Sequence, residues 1–172
     1  MRIFHIHHGG AQELTALPSQ LPAEGFVWIA CARPSFQSRL AEIQGSLQDL
    51  AGLQLVDLHI SDLINNQLPS HYDYTSQYDL MVFRRLAAGL RPTDPTHPGE
   101  PLHVAPKTGG PPILRRIDTS PVGFAVMDRV LLTVHPTDCA VRDAYAAKLL
   151  QAASQESRAA GARLPTSPAD LM

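Results

Sequence analysis

His5 and His7 stand two residues apart in the opening stretch MRIFHIHHGG, and they are the first residues of the chain that could do chemistry. On an extended strand that spacing puts both imidazoles on one face, where they could hold zinc or nickel. A zinc site needs three or four ligands, each oriented by a further partner, and no cysteine or carboxylate accompanies the pair in sequence. His103 is the remaining candidate ligand, so a soluble histidine-based metal-binding protein is one reading and a polar strand face is the other. His97 and His103 both fall in a proline-rich stretch and read as exposed loop residues. His135 and Cys139 supply an imidazole and a thiol, but one lies at the end of an expected strand and the other at the start of an expected helix. They read as a capping imidazole and a buried thiol. No GxSxG, GxGxxG or HExxH spacing occurs, and Gly109-Gly110 precedes neither Lys-Ser nor Lys-Thr, so the expectation is a protein that is not an enzyme.

The composition narrows the partners. With 172 residues the chain is long enough for one domain with its own core, and 14 Lys plus Arg against 16 Asp plus Glu offer no basic groove for nucleic acid. Cys31 and Cys139 are too few and too far apart for a disulfide framework, which fits a reducing cytoplasm. The first residues are too short an apolar run for a signal peptide, and no run of ~18 apolar residues occurs that would cross a membrane.

The elements that would position these side chains follow from periodicity and punctuation. Arg2 to His8 reads as a strand closed by Gly9-Gly10, Gln12 to Leu21 as a weak helix, and Phe26 to Ala32 as a buried strand with Trp28 in the core. Ser35 is the expected cap of a helix with an apolar stripe at Phe36, Leu40, Ile43, Leu47 and Leu50, ended by Gly52. In the stretch from Asp57 to Arg84, Ser61 and Asp62 sit where a short helix begins or passes its first turn, and Pro69 stops it. Read from the residues alone, Asp62 is then a solvated carboxylate favoured by the helix dipole. Leu80 to Phe83 reads as a strand buried on both faces. Leu90 to Pro112 holds seven prolines and three glycines and reads as a loop. Ile113 to Thr119, Val122 to Met127 and Val130 to His135 read as successive antiparallel strands joined at Ser120-Pro121 and Asp128-Arg129. Asp138 then caps a helix to about Ala159, with Val141, Tyr145 and Leu149 inward and Arg142, Lys148 and Gln151 outward. Ser167 and Pro168 start a further helix at Ala169 to Met172. The fold class expected is α/β (α+β): a mixed, partly antiparallel sheet sandwiched between helices, in a single domain over 1–172.

Asp62-Leu63-Ile64-Asn65, then Gln67-Leu68-Pro69-Ser70, then Tyr78 to Arg84 resemble the soluble amino-terminal domain of CorA-type divalent cation transporters, in which H-P-L-x-x-E-D-(I/L)-L-N, Q-R-P-K and an aromatic-rich strand recur in that order. Trp28-Ile29 matches the family's Trp and aliphatic pair, and Val122 to His135 is similar to its late hairpin. The chain departs from the pattern at Ser61, where the family has an acid, and at Leu68 and Ser70, where it has Arg and Lys. The resemblance implies a cytoplasmic regulatory domain at the inner membrane, belonging to a homopentameric magnesium or cobalt transporter, with zinc transporters as a close variant and nickel left open. It implies that Asp62 shares a divalent ion with acidic residues of a neighbouring subunit's stalk helix, so that the ion holds the pore closed. It also implies that 166–172 begins the stalk region, with the membrane helices and a Gly-Met-Asn selectivity motif beyond Met172. A structural interaction module without metal is the further alternative.

Overall fold

FVWIACA is apolar at almost every position, and as β3 (Phe26–Ala32) it is buried on both faces near the middle of a seven-stranded sheet. The computed structural model describes residues 1–86, 119–137, 139–152 and 164–172. Elements follow in the order β1 (Arg2–His7), β2 (Gly10–Leu14), β3, α1 (Arg33–Ser38), α2 (Leu40–Ala51), α3 (Asp57–Ile64), β4 (His71–Tyr74), β5 (Asp79–Leu86), β6 (Thr119–Val126), β7 (Val130–His135), α4 (Ala140–Ala152) and a 3-10 turn at Pro168–Leu171. The strand order is β2-β1-β3-β7-β6-β5-β4, with β3 and β7 parallel and the other neighbours antiparallel. Ile29, Leu80, Ala125 and Leu132 join Phe36, Ile43, Leu47 and Leu63 in the core under α1, α2 and α3, while Phe4, Trp28 and Leu131 on the other face meet Ala146 and Leu149 of α4. The sheet is mixed and covered by helices on both faces, as the sequence led us to expect.

Several local expectations give way to tertiary pairing. Residues 12–14 are not helical: they belong to β2, which closes a hairpin on β1 with His7 opposite Gly10, and Arg2 holds Glu13 at 2.7 Å across it. Weak helix propensity loses there to a full ladder of backbone hydrogen bonds. Ser35 is not a cap. The first helix starts at Arg33 after Ala32 with Pro34 in its first turn, and Arg39 (φ −112°, ψ 21°) breaks the run into α1 and α2. The α2 stripe is as read, and Gly52 ends it in the left-handed conformation at φ 70°. β5 is buried on one face only: Leu80 and Val82 lie under α3, whereas Phe83 is 55% exposed on the side that α4 does not reach. Ser120-Pro121 is not a strand junction but lies inside β6. Pro121 is tolerated because β6 pairs with β7 only from Gly123 on, so no ladder bond is asked of its missing N–H.

In α4 the inward residues are Ala146 and Leu149, while Val141 is 61% exposed and Arg142 turns toward the sheet. Ser167 does begin a capped turn, with the Asp170 carboxylate accepting from the backbone N–H of Thr166 at 2.8 Å and of Ser167 at 2.9 Å. The expectations for 90–118, for the Asp138 cap and for the helix beyond Ala152 lie outside the described residues, as do His97 and His103.

Candidate functional site

Asp62 lies in the second half of α3, which begins at Asp57, so it is not a helix-start carboxylate and the helix dipole does not favour it there. Its Oδ2 is 3.5 Å from Nε2 of His71 on β4, and its side chain is only 16% exposed. His71 Nδ1 is 3.3 Å from the Pro69 carbonyl, which can only accept, so a neutral ring serves one contact at a time and an imidazolium serves both.

One turn earlier on α3, His59 is 2% exposed and joins the helix to two strands. Its Nε2 is 3.1 Å from Asp73 Oδ2 on β4, and its Nδ1 is 2.8 Å from the Tyr78 hydroxyl at the entry to β5. The Tyr78 hydroxyl accepts from the Val56 N–H at 3.1 Å, so its own proton goes to Nδ1 of His59, and the ring then donates from Nε2 to Asp73. That donation, helped by the Tyr74 N–H, holds the Asp73 carboxyl below its ordinary value, while burial pushes the Tyr78 phenol up. α3 thus presents His59 and Asp62 at helical spacing, β4 presents His71 and Asp73 on one strand face, and the pairs cross: histidine to carboxylate in one direction, carboxylate to histidine in the other.

Two arginines fix this arrangement from behind. Buried Arg33 donates to Leu63 O at the end of α3 (3.1 Å) and to Pro121 O on β6 (2.7 Å). Arg84 on β5 donates to Asn66 O and Leu68 O, both at 3.0 Å, and so holds the turn between α3 and β4. Close approach of α3 to the sheet also requires Gly123, where an added Cβ would come within 2.2 Å of Leu63 Cδ2. Gly123→Ala is expected to lower stability by ~1–2 kcal/mol in urea denaturation through this overpacking; an unchanged midpoint would show that α3 is less tightly seated than described.

Among the described residues no three or more His, Cys, Asp or Glu side chains are grouped to hold a metal. Asp62 therefore offers an outside cation one carboxylate. His5 and His7 do share a face, with ring centroids 4.9 Å apart. His5 donates from Nε2 to Glu24 O at 2.9 Å, and Gly9 N–H donates to Nδ1 of His7 at 3.0 Å. The free electron pair of His7 is thus already engaged, and that of His5 faces the Gln12 amide at 3.4 Å. His135 and Cys139 are both buried, but the imidazole pairs with the Pro136 carbonyl and with Arg142. His59, His71 and Asp73 escaped the sequence reading. The available signal was His59 and Asp62 at helical spacing followed by His71 and Asp73 at strand spacing.

No known protein family and no curated protein matches the sequence. Solved structures do match. Full-length CmaX superposes with a TM-score of 0.58 at 15% identity, covering 99% of this chain and 42% of its own. The cytoplasmic domain of ZntB from Vibrio parahaemolyticus gives 0.56 at 12% identity, covering 99% of this chain and 53% of its own. The soluble domain of CorA from Methanocaldococcus jannaschii gives 0.52 at 12% identity, covering 87% of this chain and 46% of its own. The chain spans about half the length of the solved chains it matches. At these identities the likeness is one of fold, and the chain has the fold of the CorA soluble domain and the ZntB cytoplasmic domain.

Proposed function

We propose that this chain is the cation-sensing regulatory domain of a CorA- or ZntB-like divalent cation transporter, facing the cytoplasm at the inner membrane and carrying no enzymatic activity. The observation that supports the reading is the likeness of fold to the ZntB cytoplasmic domain over 99% of this chain and to the CorA soluble domain over 87% of it. Among the described residues no helix is long and apolar enough to cross a membrane. Asp62 is one ligand of a magnesium or cobalt ion, with nickel or zinc as the variants, shared with carboxylates of a neighbouring subunit in a homopentamer. Magnesium suits such a site because it keeps several waters and needs only one or two protein carboxylates. On arrival the cation replaces His71 as the partner of Asp62.

The test is made in the complete transporter. Asp62→Ala is expected to leave folding intact and to make transport less inhibited by internal cation, because removing a ligand lowers the ion's preference for the closed ring. Transport that keeps its cation dependence in that variant would remove Asp62 from the role while leaving the fold unaffected. One carboxylate alone holds magnesium weakly, so the 172-residue chain by itself is expected to show no tight site at Asp62, and, with only a small polar interface of the kind that dissociates readily, to be a monomer or weak dimer in light scattering; a stable pentamer would contradict this.

A further inference from the structure

His135, the last residue of β7, is fully enclosed beneath the start of α4. The Pro136 carbonyl 2.9 Å from Nδ1 can only accept, so the ring proton sits on Nδ1. The guanidinium of Arg142 on α4 can only donate, and it lies 3.1 Å from Nε2. Both ring nitrogens are therefore committed in the neutral state, and a second proton on Nε2 would point straight at a cation. The charged groups facing the ring are Arg142 and Asp143 from α4 and Arg33 from α1.

Helix α4 depends on these polar contacts more than most helices do. Among its described residues it fully buries Ala146 and Leu149, half-buries Leu150, leaves Val141 61% exposed, and rests Tyr145 edge-on against Trp28 with centroids 6.3 Å apart. Its remaining hold on the sheet runs from Asp143 to Arg2 at 3.2 Å and from Arg2 to Glu13. The core under α1, α2 and α3 lies on the opposite face and does not involve α4. A helix with so little buried apolar surface opens at lower cost than the domain unfolds.

We propose that α4 is an acid-released cover: protonation of His135 sets an imidazolium against Arg142 and undocks the helix from the sheet while the rest of the domain stays folded. Burial, the largest cause, with Arg142 adding to it, lowers the His135 pKa from 6.5 to about 4. The undocked state therefore binds the proton first, and docking is complete above pH ~6.5 and is lost as pH falls toward ~4. The docked-to-undocked ratio falls about tenfold per pH unit, about 300-fold across that window. Arg2 holds the Glu13 carboxyl below its ordinary range, so that contact does not titrate first.

Hydrogen exchange followed by mass spectrometry between pH 7 and 4.5, corrected for intrinsic exchange, tests this on the whole chain. Protection of residues 140–152 is expected to drop about tenfold per pH unit below ~6.5 while β3 and β7 keep theirs. Acrylamide quenching of Trp28, the single tryptophan, rises in parallel. In His135→Gln the protection of α4 is expected to stay flat. Protection of α4 that ignores pH in the unmodified chain, the same decline in His135→Gln, or simultaneous loss from α4 and β3 would each overturn the proposal. Should His135→Gln fail to fold, NMR titration of the His135 ring in the unmodified chain replaces it: ring protonation must coincide with loss of α4 protection, and a ring that titrates while α4 stays protected refutes the mechanism.

Discussion

Replacing Arg33 with Met is expected to lower the stability of the domain by ~3–4 kcal/mol, the largest effect of any single polar change described here. Arg33 is 7% exposed and donates to Leu63 O and Pro121 O. Leu63 O is among the last carbonyls of α3, which no longer have a helical N–H to accept from. Met fills much of the same volume but donates nothing, so two buried carbonyls lose their partner at ~1–3 kcal/mol each. Arg33→Lys is expected to recover only part, since one ammonium does not span both acceptors as a planar guanidinium does. Urea denaturation decides it through the midpoint, with the slope unchanged. A midpoint within error of the unmodified chain would mean that water replaces the guanidinium and that α3 is not anchored by it.

Tyr78→Phe is the second large effect, at ~2–4 kcal/mol. The lost hydroxyl both accepts from the Val56 N–H and donates to His59, so its removal strands a backbone donor and a ring nitrogen in the interior. The His59 ring also stacks edge-on against Tyr78 at 5.4 Å, a contact that Phe retains, which isolates the hydrogen bonds as the cause. A double-mutant cycle with His59→Phe separates the shared term: the two changes should be strongly non-additive, because each removes the same bond. Simple additivity would show that Tyr78 and His59 act independently and that no proton-ordered chain links Val56 to Asp73.

The comparison of sequence with structure turns on which residues speak locally. Phe26 to Ala32 is apolar on every position and Val130 to Val134 on all but Thr133, enough to be buried strands wherever they fall, and Gly52 marks the end of α2 because a left-handed residue there favours glycine. The order of a short helix at Asp62 followed by an apolar strand at Leu80 was also legible, but α3 ends at Ile64, ahead of Pro69, and the short strand β4 at His71–Tyr74 between them had no periodicity to announce it. Phe83 shows the limit of that reasoning. An apolar run says that a strand can be buried on both faces, but α4 packs its described residues over β1, β3 and β7, and Phe83 on β5 is left exposed.

The chain by itself determined a mixed sheet with helices on both faces, the stripe that α2 buries and the position of Asp62 on a short helix, because each is written in spacing over a few residues. Only the tertiary structure decided that residues 12–14 pair as a strand, that Asp62 meets His71, and that His59 joins Asp73 and Tyr78 across 14 and 19 positions of sequence. Side chains that far apart meet only once α3 is seated on the sheet by Arg33 and by the bare backbone of Gly123, and a hydrogen bond is formed by that distance in space, which no periodicity along the chain records.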